Sequence, residues 1–332
     1  LKSHARVEIR GGAGTGKTWL AVEKARRLTD QGKRVALMCY SRGLAEFLVR
    51  RVADLPMTQR PAYVGTFHGL GIGWGVLPGS DDDSGYWEEF LPTEMVSLAD
   101  RLPLSERFDA VVIDEAQDFA QSWWPAVLAA LRDPDQGLLY VFADEGQRVF
   151  ARQGRPTVDL VAFDLDENLR NTKQIAGTFS SLAAGQMMFR GGNGVPVRFV
   201  PCATEDAVGA ADDEAATLLD DGWPPEAVAL LTTHHRHPVQ VERQAEGPEA
   251  YWASYWANDD LFYGHVLGFK GLERPAVVLA VNGFRDEARA KEMLYVGLSR
   301  ARDRLVVCGD LELIGRVGGQ AVVQRLTSGA GR

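Results

Sequence analysis

The sequence predicts an α/β fold made of two domains with parallel sheets. Three observations predict it. Short apolar runs alternate with amphipathic stretches along the whole chain, the pattern of βαβ units whose strands are covered on both faces. The length of 332 residues corresponds to roughly two domains at ~150 residues each. Between the first apolar run and the first amphipathic stretch lies a glycine-rich turn of the phosphate-binding type.

In the first half, RVEIR, RVALMCY, PAYVGT, AVVIDE and LLYVFAD read as buried strands rich in Val, Leu and Ile. TWLAVEKARRLTDQG and GLAEFLVRRVADL read as helices, stopped by Gly32 and Pro56. In the second half, PVRFVP, AVALLTT, AVVLAVNG and RLVVCGD are strand-like, while AADDEAATLLDDG and AKEMLYVGLSRARD are helix-like. The polar, turn-rich segment Arg152–Asp159 marks the seam. It divides the chain into a first domain of residues 1–157 and a second of 158–332. GIGWGVLPGSDDDSG and HRHPVQVERQAEGPEA read as loops.

Composition excludes several classes. With 45% hydrophobic and 24% charged residues, the chain is neither disordered nor fibrous. No apolar run reaches the ~18 residues of a spanning helix, so no membrane partner is expected. The formal net charge of -9 argues against coating nucleic acid by bulk charge. Cys39, Cys202 and Cys308 are scattered and form no C-x-x-C pair, which reads as reduced thiols and a cytoplasmic location. The chain opens LKSHARVEIRGG, without Met and without an apolar leader. That start reads as a processed chain or a piece of a longer one.

The turn is Gly11-Gly12-Ala13-Gly14-Thr15-Gly16-Lys17-Thr18, which fits G-x-x-x-x-G-K-[ST] between a predicted strand and a predicted helix. Glycines let successive backbone N–H groups face phosphate oxygens, and the helix N-terminus adds partial positive charge. Lys17 is expected on the β/γ-phosphates and the Thr18 hydroxyl on Mg²⁺. Further along, an apolar strand ends in Asp114 and Glu115. Carboxylates at the end of a buried strand need an ion or water to compensate them. Asp114 suits a direct or water-mediated Mg²⁺ contact, and Glu115 suits the base that orients an attacking water.

With the P-loop, the run Asp114-Glu115-Ala116-Gln117-Asp118 resembles superfamily 1 helicases of the UvrD/Rep type. Further motifs occur in that family's order over nearly the whole chain. ALMCYSRGLAEFL is similar to a segment lining the nucleic-acid track, with Tyr40 at an aromatic position. Thr66, Phe67 and His68 resemble the next strand-contacting motif; a core Tyr and a core Phe-His pair are the plainer alternatives. FADEGQRVF resembles the motif whose Gln, here Gln147, senses the γ-phosphate. Phe150 stands at a base-stacking position, and Arg152 at one where the family carries Trp. The resemblance places Arg170 and Arg300 on the γ-phosphate, against the alternative of surface salt bridges. It also places Gly271 and Glu273 of the K-G-L-E motif between nucleotide and track.

The resemblance implies two tandem RecA-like P-loop NTPase domains. Gly12, Ala13, Gly14, Thr15, Gly16, Lys17 and Thr18 would bind ATP with Mg²⁺ in the cleft between the domains. Single-stranded nucleic acid, DNA in preference to RNA, would be the partner, with movement 3′ to 5′. Three departures qualify this. Only ten residues precede Gly11 and none is Gln, so the family's adenine-reading motif is expected to be either absent or removed with a longer N-terminal region. At the adenine sandwich the chain has Trp19 and Leu169, which implies loose base selectivity if Trp19 is a stacking face and not a core residue. About 45 residues separate His68 from Asp114, and about 100 separate Arg170 from Lys270. These gaps leave room for sheet elements and little more, so the large helical insertion subdomains are expected to be absent. Translocation is then a safer expectation than processive unwinding.

Two alternatives stay open. One is a nucleotide-gated sensor or interaction ATPase indifferent to nucleic acid. The other is the motor segment of a nuclease–helicase fusion, with a nuclease domain elsewhere in the same or a separate chain. His234, His235 and His237 lack a completing Cys or acid and read as a surface loop before a metal site. Trp123, Trp124, Trp252 and Trp256 read as packing residues.

Overall fold

A computed structural model of the chain describes residues 4–80, 83–144, 158–183, 185–257 and 259–328. Contacts divide it into two units, Leu1–Gly11 with Gly16–Leu165, and Gly12–Thr15 with Asp166–Arg332.

The first unit runs β1 (Arg6–Gly11), α1 (Lys17–Asp30), β2 (Val35–Cys39), α2 (Arg42–Ala53), β3 (Tyr63–Thr66), α3 (Phe67–Gly73), α4 (Leu91–Ala99), β4 (Ala110–Ile113), α5 (Trp124–Ala129), β5 (Leu138–Ala143) and β6 (Val161–Leu165). The six strands form one parallel sheet in the order β3-β2-β4-β5-β1-β6. Its central strands β2 and β4 are buried at every residue, which is why they read as continuous apolar runs. One face packs on Ala21, Ala25 and Leu28 of α1 and on Leu44, Leu48 and Val52 of α2. The other packs on an aromatic-rich layer holding Phe67, Phe119, Trp123 and Trp124. Ser41 caps α2 by accepting the Leu44 N–H at 3.3 Å, and Thr66 caps α3 by accepting the Gly69 N–H at 2.9 Å.

Two sequence expectations are corrected here. The first unit continues to Leu165, past the seam at 157/158, because β6 pairs with β1 from Val7↔Val161 to Gly11↔Leu165. β6 is an edge strand exposed over most of its length, and its short apolar run Val161-Ala162-Phe163 is cut by Asp164. Between His68 and Asp114 the one strand among the described residues is β4, and the stretch before it is helical. That stretch holds α3, a π turn at Tyr86–Phe90 and α4, a small helical insertion.

The second unit runs β7 (Glu167–Asn168), α6 (Lys173–Phe179), β8 (Met188–Phe189), β9 (Arg198–Pro201), α7 (Ala207–Asp220), β10 (Val228–Thr232), α8 (Pro238–Ala245), α9 (Pro248–Trp256), β11 (Phe262–His265), β12 (Arg274–Val281), α10 (Ala290–Ser299), β13 (Ala301–Gly309), α11 (Leu311–Gly318) and α12 (Gln320–Thr327). Its main sheet is parallel in the order β11-β10-β12-β13-β9, and β7 pairs with β8 apart from it. The stretch HRHPVQVERQAEGPEA, expected as a loop, contributes α8 and the start of α9. Pro238 opens α8, and His237 caps it by accepting the Val239 N–H at 3.1 Å. Gln240 is the one buried residue of α8, so no buried apolar side chain marks the helix in the sequence. Both units are thus α/β with parallel sheets, the class expected, and the three cysteines are free. Among the described residues no helix is long and apolar enough to cross a membrane.

Candidate nucleotide and nucleic-acid site

In the first sheet β4, β5 and β1 are neighbours, so the loops leaving their C-terminal ends open at one edge. That edge is where ligands bind in open parallel sheets. The P-loop leaves β1 there and ends in α1. Gly14 and Gly16 have φ of 77° and 84°, a left-handed conformation that favours glycine. The Thr15 hydroxyl donates to Gly12 O at 2.9 Å, and Ala13 and Thr15 are buried. Lys17 is buried as well. Its Nζ donates to Gly11 O at 2.9 Å and lies 3.6 Å from Asp144 Oδ2.

Asp114 is fully buried at the end of β4, and its Oδ2 has no hydrogen-bond partner. Burial pushes its carboxyl well above the usual carboxylate range. The charge of Glu115 pushes the same way, while a hydrogen bond from the Thr18 hydroxyl and the charge of Lys17 oppose it. Glu115 is itself buried and is the one non-glycine residue with positive φ among those described, at 52°. Holding a β-carbon there costs on the order of 1 kcal/mol, and such strain concentrates at functional positions. Gln117 fixes the result: its Nε2 donates to Glu115 Oε2, and its Oε1 accepts the Asp144 N–H at 3.0 Å. The structure therefore joins the predicted Lys17, Thr18, Asp114 and Glu115, and adds Asp144 and Gln117. Asp144 could have been read from the acid closing LLYVFAD, and Gln117 from its place inside the motif.

The chemistry of this corner fits Mg²⁺. A hydroxyl bonded to a carboxylate with an orphaned, buried oxygen is a hard-oxygen donor set, and a divalent cation would reverse the penalty on Asp114. Among the described residues no three His, Cys, Asp or Glu side chains group as a metal cage. Mg²⁺ commonly takes one or two protein oxygens and completes its shell from substrate phosphates and water.

In the second unit Arg170 follows β7. Its Nη1 donates to Glu273 Oε2 at 3.1 Å and its Nη2 to Ser299 O at 2.9 Å. Two predicted site residues thus meet. The loop carrying Arg170 is fastened by buried asparagines on either side. Asn168 Nδ2 donates to Asn171 Oδ1 at 2.8 Å, and Asn171 Nδ2 donates to Ser299 O at 3.1 Å and Ala301 O at 2.5 Å. Arg300 departs from expectation. It is buried, its Nε donates to Val296 O at 3.1 Å, its Nη1 to Leu272 O at 3.3 Å and its Nη2 to Ser299 Oγ at 2.8 Å. Through Leu272 O it bonds the turn from Lys270 to Glu273 within the second unit. In that turn Gly271 takes φ 77°, and Lys270 Nζ meets Glu292 Oε1 at 2.5 Å with both side chains buried.

Of the predicted strand contacts, Tyr40, Thr66 and His68 are half-buried at the end of the first sheet. The His68 ring lies 6.0 Å from Tyr40 and 4.6 Å from Trp123, centroid to centroid. Phe67 is corrected to a core residue: it is 0% exposed and stacks on Trp123 at 5.0 Å and 10°. Gln147, Phe150 and Arg152 lie outside the described residues. Trp19 is 61% exposed and Leu169 60%, so the core reading of Trp19 fails and its indole face is accessible.

Residues 265–308, which hold the Lys270–Glu273 turn, α10 and most of β13, match the UvrD-like helicase C-terminal domain. Over these residues the match bears out the resemblance to superfamily 1 helicases. No curated protein matches the chain. Among solved structures it is similar to the PRRSV helicase, at a TM-score of 0.48 and 12% identity over 91% of this chain and 52% of that one. It is also similar to an arterivirus nonstructural protein 10 (helicase), at 0.45 and 14% over 94% and 61%. The chain spans about half to three-fifths of the length of these two.

Proposed function

We propose that the chain is the motor core of a superfamily 1 helicase or translocase of the UvrD/Rep type. It hydrolyses ATP with Mg²⁺ and uses the cycle to move along single-stranded nucleic acid, DNA in preference to RNA, from 3′ to 5′. The observation that carries the reading is the buried cluster of Lys17, Asp114, Glu115 and Asp144 where β1, β4 and β5 end side by side. A purely structural sheet edge has no use for three buried carboxylates around one lysine, since desolvating each costs several kcal/mol by rough estimate.

In this reading the P-loop amides and Lys17 receive the polyphosphate. Mg²⁺, held through Thr18 and Asp114, supplies charge neutralisation on the phosphate oxygens. Glu115, held by Gln117, accepts a proton from the attacking water. Arg170 supplies positive charge to the transferred phosphoryl group, an arginine contribution worth on the order of 10³–10⁵ in rate. Trp19 offers a ring face to the base, and a face alone discriminates poorly between purines. Tyr40, Thr66 and His68 form the strand track of the first unit.

Displacement of streptavidin from end-biotinylated strands tests the movement. The proposal expects ATP-dependent displacement from the 5′ end of DNA and not from the 3′ end. ATP turnover with displacement from neither end would favour the sensor instead.

A further inference from the structure

We propose that the insertion between β3 and β4 extends the strand track with a ridge of base-stacking aromatics, Trp87, Tyr86 and Phe90. This rests on the strand-binding reading above. The ridge is continuous with the predicted track. From Tyr40 to His68 the ring centroids are 6.0 Å apart, from His68 to Trp87 5.1 Å, from Trp87 to Tyr86 4.9 Å, and from Tyr86 to Phe90 5.3 Å. Its floor is rigid, because Phe67 and Trp123 beneath His68 are fully buried. Its far end is open, with Phe90 53% exposed.

The local backbone is built to hold this ridge. Tyr86–Phe90 is a π turn, a rare geometry that recurs at functional sites. The Trp87 indole N–H donates to Ser80 O at 2.7 Å, the Tyr86 N–H to Asp83 Oδ1 at 3.0 Å, and the Ser122 hydroxyl to Glu88 O at 2.5 Å. The Trp87 ring and the backbone of the turn are therefore ordered before any ligand arrives, which lowers the entropy cost of stacking. The charges flanking them, Asp83, Glu88, Glu89 and Glu94, repel phosphates. What the ridge can recognise is the π-face of an unpaired nucleobase, a contact that tolerates any sequence.

The test is the affinity of the full chain for oligo-dT and for an abasic strand of equal length, over a range of salt. Wild type is compared with Trp87→Leu and with Phe90→Ala, the latter at an exposed position that leaves folding intact. Trp87→Leu is expected to weaken binding to oligo-dT about 5- to 100-fold, with the abasic strand unaffected. The slope of affinity against salt stays unchanged, because no phosphate contact is lost. Phe90→Ala shifts binding in the same direction by less. If wild type binds oligo-dT and Phe90→Ala and folded Trp87→Leu bind it equally tightly, the ridge serves packing or a protein partner and the inference falls alone. A changed salt slope, or equal losses on the abasic strand, overturns it too. Failure of wild type to bind either strand overturns the track reading with it.

Discussion

Replacing Phe67 decides whether the Thr66–His68 motif acts through its phenyl ring or only through its neighbours. The ring is fully buried, stacked on Trp123 at 5.0 Å and flanked by Phe119 at 5.7 Å and His68 at 5.6 Å. Truncation to alanine empties a site in the layer that joins the sheet to α4 and α5. Phe→Ala changes in such cores cost about 3–5 kcal/mol, and here a further ~0.5–1.5 kcal/mol of ring pairing lies within that sum. Leucine keeps most of the volume, so Phe67→Leu is expected to cost less than about 1.5 kcal/mol. The assay is urea unfolding followed by tryptophan fluorescence, paired with strand affinity below the transition. The alanine variant should lose stability by the larger amount. The leucine variant, folded, should bind oligo-dT as wild type does. Near-wild-type stability of Phe67→Ala together with weakened binding by Phe67→Leu would show a contact residue and refute the core assignment.

Three further outcomes follow from the geometry. Glu292→Gln removes the carboxylate that meets the buried Lys270 Nζ and should destabilise the second unit by about 3–5 kcal/mol, whereas Lys270→Met with Glu292→Leu should recover most of it; denaturation of single and double variants checks this. Glu115→Gln should lower ATP turnover by about 10²–10⁴ without lowering the thermal midpoint, because a buried charge beside Asp114 is removed. His265 is held neutral by burial, its Nδ1 accepting the Leu267 N–H at 3.2 Å, with its pKa lowered from 6.5 to about 4. The unfolded chain takes up that proton first, so this group costs stability as pH falls from 6.5 to 4, by about 3 kcal/mol in all. Unfolding of His265→Gln should therefore depend less steeply on pH across that window than wild type.

Central strands were the most legible part of the fold, because β2, β4 and β12 are covered on both faces and spell continuous apolar runs. The edges were not. β6 is largely exposed, and β11 spends one of its four residues on Gly264 and another on His265. α8 escaped because its stability comes from a cap and a proline, not from an apolar stripe. At the site, Lys17, Thr18, Asp114 and Glu115 were readable because phosphate chemistry restricts both residue type and spacing. Asp144 and Gln117 belong to the same cluster through folding alone: β4 and β5 must pair before Gln117 can accept the Asp144 N–H. Phe67 and Arg300 sit in family motifs, yet nothing in a motif distinguishes a residue that touches ligand from one that holds its neighbours in place. What the motifs do not convey is their neighbours: Phe67 stacks on Trp123, and Arg300 bonds Val296, Leu272 and Ser299.

In the proposed function, nucleotide hydrolysis at the Lys17–Glu115 cluster is coupled to a single strand. Steady-state ATP turnover with Mg²⁺, measured with and without single-stranded DNA on wild type and Lys17→Ala, tests it most directly. The expected result is turnover that the strand stimulates and that Lys17→Ala abolishes in both conditions. Turnover absent from wild type, or present and unchanged by the strand, would contradict it.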